Sequence, residues 1–176
     1  MSQLEQFDRV YEIMSASFSV TEYRTKSGQE KLLDRSEYRL LTERDEEERI
    51  IAFLAVWEFP ALRFIEHLAV EPSVRGGGVG NKLVRKYLEE QSGEQPVKPT
   101  ILEVELPEDE LSARRISFYE RLGFRLNEYS YVQPPLREGG EPLALKIMSY
   151  PQLLTEQEFL ACRAILYSEV YRVSES

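Results

Sequence analysis

The segment Arg75-Gly76-Gly77-Gly78-Val79-Gly80 constrains this chain more than any other. It follows Leu62–Val70, which reads as a strand. It precedes a stretch from Asn81 to about Gln91 in which Leu83, Val84, Tyr87 and Leu88 recur at helical spacing. A strand, a glycine-rich turn and a helix N-terminus in succession aim several unpaired backbone N–H groups at one point, where the helix dipole also favours negative charge. Residues without a side chain let the backbone come close to an anion, which accounts for Gly76, Gly78 and Gly80. The turn therefore predicts a site for phosphate oxygens, with a plain glycine-rich turn as the competing reading.

Two phosphate loops fail against these residues. The P-loop pattern requires Lys and then Ser/Thr directly after its last glycine, but Gly80 is followed by Asn81-Lys82-Leu83. The dinucleotide fingerprint requires a glycine three residues after its second and an early place in a βαβ unit. Here that position is Asn81, and several strands come first.

The remaining pattern predicts one mixed α/β domain. Leu4, Phe7, Val10, Tyr11 and Met14 set an amphipathic helix over 3–16, and a second short helix covers 27–35, within an N-terminal helical segment of residues 1–36. Tyr38–Thr42, the apolar run Ile50–Trp57 and Leu62–Val70 predict an antiparallel meander, with Asp45–Glu48 and Phe59-Pro60-Ala61 as its turns. After the glycine turn and its helix, Ile101–Leu106 returns as a strand parallel to the preceding one. A helix over 111–122 is closed by Gly123, and strands at Phe124–Val132 and Leu143–Tyr150 complete a core of residues 37–150. Thr155 and Glu158 have capping-box spacing ahead of a helix running from about 155 to 172.

Composition narrows the partners. Cys162 is the single cysteine, which excludes an internal disulfide and a paired-cysteine zinc site; no metal is expected. With 31 acidic and 22 basic residues the net charge is −9, a field that repels nucleic acid and anionic lipid. The longest apolar run, Ile50–Trp57, is far short of the ~20 residues of a membrane-spanning helix, and no signal-peptide pattern opens the chain. A cytoplasmic protein is the expectation.

The glycine turn resembles the acyl-CoA loop of the GNAT superfamily of N-acetyltransferases, Gln/Arg-x-x-Gly-x-Gly/Ala, read as Arg75, Gly78 and Gly80. The strand Leu68-Ala69-Val70 and the run Phe118-Tyr119-Glu120-Arg121-Leu122-Gly123-Phe124 resemble that family's other two signatures, in the right order. The resemblance spans about residues 37–150 and extends to small bacterial single-domain members. It implies a central mixed sheet, an antiparallel meander followed by a splayed parallel pair, flanked by helices. Two features depart from the pattern: the chain opens on a helix instead of the family's first strand, and the usual Asn and Ala seven and four residues before the tyrosine are Ser112 and Arg115.

The resemblance implies transfer of acetyl from acetyl-CoA to an amine, small molecule or peptide, by direct attack in a ternary complex. Self-association into a homodimer stays open. The alternative is a non-catalytic acyl-CoA-binding regulatory module. Coenzyme contacts implied are Leu68, Val70, Arg75, Gly76, Gly77, Gly78, Val79, Gly80, Asn81, Ser112 and Tyr119, with the Val70 N–H polarising the thioester carbonyl and Arg75 reaching the pyrophosphate. A protonated amine must lose a proton before it attacks, and the departing thiolate benefits from an acid. Tyr119 is the expected acid. The expected base is Glu66, which alternation places on one strand face with Leu68 and Val70; Glu103 and Glu105 on the next strand are the alternatives. His67 falls on the opposite face and reads as structural. Arg114 and Arg115 read equally as helix surface or as ligands of the nucleotide phosphate, and Cys162 as a small buried residue.

Overall fold

The computed structural model describes residues 3–173 and has a mixed α/β architecture, with seven strands and five α-helices among the described residues. Two compact units make it up: Met1–Phe59 with Phe64–Val97, and Pro60–Arg63 with Lys98–Ser176.

The first unit holds α1 (Gln3–Ser17), α2 (Lys26–Leu32), β1 (Tyr38–Arg44), β2 (Ile50–Glu58), most of β3 (Arg63–Val70) and α3 (Val79–Glu89). β1 and β2 pair antiparallel from Tyr38↔Trp57 to Arg44↔Ile50, with a bulge between Glu43 and Arg44. Their turn is tied by Asp45, whose carboxylate accepts the N–H groups of Glu47 and Arg49 and the Arg49 guanidinium, each at 2.9 Å. β3 is the other neighbour of β2, and the Glu71 N–H bonds the Ile51 carbonyl at 2.7 Å, joining the end of β3 to the start of β2 in the antiparallel sense of the predicted meander.

Successive strand residues face opposite sides, so a strand apolar throughout must be covered on both. β2 is such a strand: Ala52 through Trp57 are fully buried, and both α1 and α3 pack on it. α3 contributes Leu83, Val84, Tyr87 and Leu88, the apolar face expected from its spacing, whereas α1 contributes Phe7, Val10 and Met14 of its expected face together with Ile13, while the expected Leu4 is 60% exposed in the first turn of the helix.

The second unit holds β4 (Thr100–Glu105), α4 (Glu110–Arg121), β5 (Arg125–Leu126), β6 (Tyr131–Gln133), β7 (Leu143–Tyr150) and α5 (Glu156–Ile165). β7 is its hub, pairing antiparallel with β4, β5 and β6. The predicted continuous strand over Phe124–Val132 is instead two short strands. The interruption is Asn127, 2% exposed, whose side-chain amide donates to the Ile147 carbonyl and Ser149 Oγ and accepts from the Leu154 N–H. An amide side chain that bonds the backbone competes with the strand ladder. The capping box at Thr155 and Glu158 forms as expected, but the helix it starts ends at Ile165 and gives way to a π-helical turn, Leu166–Val170.

Candidate active site

In the first unit, alternation along β3 leaves Glu66, Leu68 and Val70 on the less buried face and Ile65, His67 and Ala69 on the buried one. β3 runs into a 3₁₀ turn, Pro72–Val74, whose N-cap Glu71 accepts the Ser73 N–H at 3.0 Å. Then comes the glycine turn. Gly76 and Gly78 have φ of +88° and +80°, and a Cβ added at either would meet nothing within 4 Å. Glycine is thus required there by a left-handed backbone and not by crowding. Gly78 is the N-cap of α3. The first bond of that helix runs from the Lys82 N–H to the Gly78 carbonyl at 3.0 Å, so the N–H groups of Val79, Gly80 and Asn81 have no acceptor within the helix. Residues 76–78 are exposed, and the dipole of an 11-residue helix ends among them. The Asn81 side chain is occupied along the helix, accepting from Arg85 Nε at 2.7 Å.

Arg75 folds back onto its own unit. Its Nε–H donates to the Val70 carbonyl at 3.1 Å and its Nη2 to Ser17 Oγ at 3.0 Å. In this arrangement it clamps the end of β3 to the end of α1; pyrophosphate contact would require it to swing away.

Glu66 is placed differently from what a general base needs. Its side chain is 2% exposed and pairs with Arg24, itself 11% exposed, through two bonds of 3.1 and 2.9 Å. The Trp57 indole N–H adds a third at 2.9 Å. Burial pushes the carboxyl up, but the Arg24 charge and these bonds outweigh it and hold the group below its ordinary value. A buried carboxylate neutralised by a guanidinium is an ion pair that organises structure, so the expectation of Glu66 as the base is set aside on this geometry. His67, 4% exposed, has Nε2 2.8 Å from the Glu22 carbonyl. A carbonyl only accepts, so Nε2 carries the hydrogen, and burial holds the ring below its ordinary pKa. The Phe18 ring packs edge-on at 5.1 Å, and His67 lies on the buried face of β3 that alternation assigned to it.

In the second unit Tyr119 lies on the buried face of α4 with Ser112 and Ile116, and its ring packs edge-on against Phe124 at 5.6 Å. Burial pushes the phenol up to about 12, with the Arg115 charge pulling the other way. The Tyr119 hydroxyl makes no hydrogen bond to the described residues, although the ring is 7% exposed. Ser112 donates its hydroxyl to Glu105 at 3.0 Å, and its N–H is capped by Asp109 at 2.7 Å. Arg114 pairs with Glu110 on the exposed side of α4. Glu103 sits in a cluster absent from the sequence reading: it accepts from the hydroxyls of Tyr131 (2.5 Å) and Tyr171 (2.6 Å) and from Gln133 Nε2 (2.9 Å). Cys162 is buried, which pushes its thiol up to about 11 and leaves it inert as a nucleophile. Among the described residues no group of three His, Cys, Asp or Glu could hold a metal ion, and no helix is long and apolar enough to cross a membrane.

This fold, with a glycine turn opening a helix and a buried tyrosine on a later one, is that of an acetyltransferase class: the family model for the acetyltransferase (GNAT) domain matches residues 36–126, and the chain belongs to that family. Among its relatives is a Bacillus subtilis (strain 168) protein described as "Putative acetyltransferase YjbC", 28% identical, over 92% of this chain and 80% of that one. A solved structure from Bacteroides thetaiotaomicron, described as "Putative acetyltransferase from GNAT family", superposes with a TM-score of 0.87 at 31% identity, covering 97% of this chain and 94% of the other. The ribosomal-protein-S18-alanine N-acetyltransferase of Escherichia coli shares the fold, with a TM-score of 0.65 at 18% identity over 89% of this chain and 94% of that one.

Proposed function

We propose that the chain transfers the acetyl group of acetyl-CoA to an amine by direct attack, and that the glycine turn is the observation that carries this reading. Exposed left-handed glycines at 76 and 78, followed by the unspent N–H groups of Val79, Gly80 and Asn81, offer donors suited to pyrophosphate oxygens. In the reaction the amine nitrogen attacks the thioester carbon, the carbonyl oxygen gains charge met by the Val70 N–H, the nitrogen loses a proton to a base, and the carbon–sulfur bond breaks.

Tyr119 suits the sulfur. A phenol held up to about 12 stays protonated at neutral pH. A phenol pushed up by burial holds its proton more tightly than a thiolate of pKa ~8.5 does, so Tyr119 stabilises the leaving group as a hydrogen-bond donor. For the base the reading moves from Glu66 to Glu103. Its partners include two phenol hydroxyls, and a hydroxyl both gives and accepts, so a proton reaching Tyr131 or Tyr171 has a path to the carboxylate. The acceptor is an amine of undefined size, as is the ribosomal-protein alanine of the Escherichia coli fold relative.

The test is free-thiol release from acetyl-CoA across an amine library, beside calorimetry on Gly78→Glu. That variant should lose coenzyme affinity through bulk and negative charge at the turn. Unchanged affinity in a folded Gly78→Glu protein would remove the turn from the coenzyme site.

A further inference from the structure

In the first unit β1 is an edge strand: among the described residues β2 is its one strand neighbour. An open edge is a template for a further strand, and proteins commonly blunt it with Pro, Lys or a bulge. From Tyr38 to Glu43 β1 has no Pro, Gly or Lys, and its bulge comes after that stretch, between Glu43 and Arg44. The groups on the open side follow from the ladder. The Glu58 N–H bonds the Glu37 carbonyl at 2.8 Å, so the Glu37 backbone faces β2, and in an antiparallel pair such residues alternate. The register is unbroken to Glu43↔Ala52. Arg39, Leu41 and Glu43 therefore bond toward β2, while Tyr38, Leu40 and Thr42 turn their backbone groups outward. The Tyr38 N–H is taken by the Arg35 carbonyl at 3.3 Å, but those of Leu40 and Thr42 bond no described group.

A second copy of β1 fits this edge in one register better than in its neighbours. Antiparallel pairing centred on Leu40 would set Glu37 opposite Glu43, a like-charge pair. Centring on Thr42 would rely on Arg44, beyond the bulge. Centring on Leu41 pairs Leu40 with Thr42 of the other copy, so the outward N–H groups of both copies find acceptors. Arg39 then lies directly opposite Glu43 of the other copy on both sides of the axis, in the non-hydrogen-bonded pairs where side chains come closest. Arg39 and Glu43 share one strand face, and their side chains are 41% and 22% exposed. On that face Glu90 lies 2.9 Å from Arg39 and Lys82 lies 3.6 Å from Glu43, so charges alternate in sign across the seam.

We propose that the chain self-associates as a twofold dimer through antiparallel pairing of β1 with β1 of a second copy, with Leu41 on the axis. The occupant is a second copy because the edge is self-complementary: reversing the strand about Leu41 exchanges Arg39 with Glu43 and Leu40 with Thr42, as an isologous contact requires. A strand of 7 residues spans only about 24 Å, so the contact is small and the dimer exchanges with monomer.

Analytical ultracentrifugation of the full chain from about 5 to about 500 µM should show a monomer–dimer equilibrium. Arg39→Glu and Glu43→Arg each set like charges opposite one another and should raise the dimer Kd about tenfold or more. An equimolar mixture of the two variants restores opposite charges on both sides of the axis and should recover association. Thr42→Pro removes an outward N–H while leaving the β2 ladder intact, and should also weaken the dimer; if that variant fails to fold, the charge variants decide. A wild type that is monomeric at every concentration overturns the proposal and leaves the edge to a strand of another protein. A dimer that both charge variants form as readily as wild type, or a mixture that associates no better than its components, overturns it as well.

Discussion

The Arg24–Glu66 pair makes a quantitative prediction about stability. Replacing Arg24 with Ala leaves the Glu66 carboxylate, 2% exposed, with the Trp57 N–H as its remaining described partner. Removing one member of a buried pair typically costs about 3–5 kcal/mol, because the survivor's charge is left uncompensated. For a chain of this length each kcal/mol is worth roughly 2–4 °C in Tm, so the variant should melt roughly 10 °C lower. The pH dependence has a definite sign. In wild type the folded carboxyl lies below its unfolded value, so its contribution is present above about pH 4.3 and is lost as pH falls through the folded pKa. In Arg24→Ala the largest opposition to the upward push of burial is gone and the Trp57 N–H and His67 alone still pull the carboxyl down, so the folded pKa rises and stability is lost as pH rises through it. Removing Arg24 also lifts a charge that holds His67 down, which acts in the same direction. The gap between wild type and variant should therefore be wider at pH 7.5 than at pH 5. Urea titrations at the two pH values can be followed by fluorescence of Trp57, the single tryptophan, which hydrogen-bonds the carboxylate in question. A gap under about 1 kcal/mol at pH 7.5, or one equal at both pH values, would refute the reasoning.

Glu103→Gln should lower kcat/KM by about 10²-fold or more and shift its optimum upward, since only amine that is already deprotonated can react, while Tyr119→Phe, by removing a donor to developing charge, should lower turnover at saturating acetyl-CoA by about 10²-fold without altering the acid side of the profile; a Glu103→Gln profile that superimposes on wild type would exclude it as the base. Asn127→Ala strips three partners from a buried site, and chemical denaturation should show a loss of about 2–3 kcal/mol; a change below ~0.5 kcal/mol would mean that the interruption between β5 and β6 has another cause.

The parts of this molecule that are local in sequence were legible from it. The glycine turn, the Thr155 cap and the two faces of β3 each depend on residues within a turn or two of one another, and each appears where the pattern put it. The strand alternation even separated His67 from Glu66 correctly. What alternation cannot report is the partner across the gap. Glu66 meets Arg24 from 42 positions away, and Glu103 meets Tyr171 from 68 away. No period or motif links such residues, so a carboxylate already matched by a guanidinium and one ringed by hydroxyls look the same in a strand pattern. Asn127 misled for a related reason: in sequence it is one of several polar residues, with Arg125, Glu128 and Ser130, that alternate with apolar ones, and the three groups its amide bonds belong to Ile147, Ser149 and Leu154.

The π-helical turn after α5 sets the phase of everything beyond it. Its closing bond, from the Tyr171 N–H to the Leu166 carbonyl at 2.9 Å, encloses one residue more than an α-helical turn would, a displacement of about 100° around the axis for whatever follows. Tyr167, inside the turn, reaches the Val132 carbonyl, and Tyr171, just past it, reaches Glu103. Regular α-helix through this stretch would rotate the second tyrosine away while leaving the first in place. One surplus residue in the last turn of a helix thus decides which hydroxyl a strand carboxylate meets, and homologues that differ there by a single insertion or deletion would differ in the chemistry around Glu103 while keeping every strand of the fold.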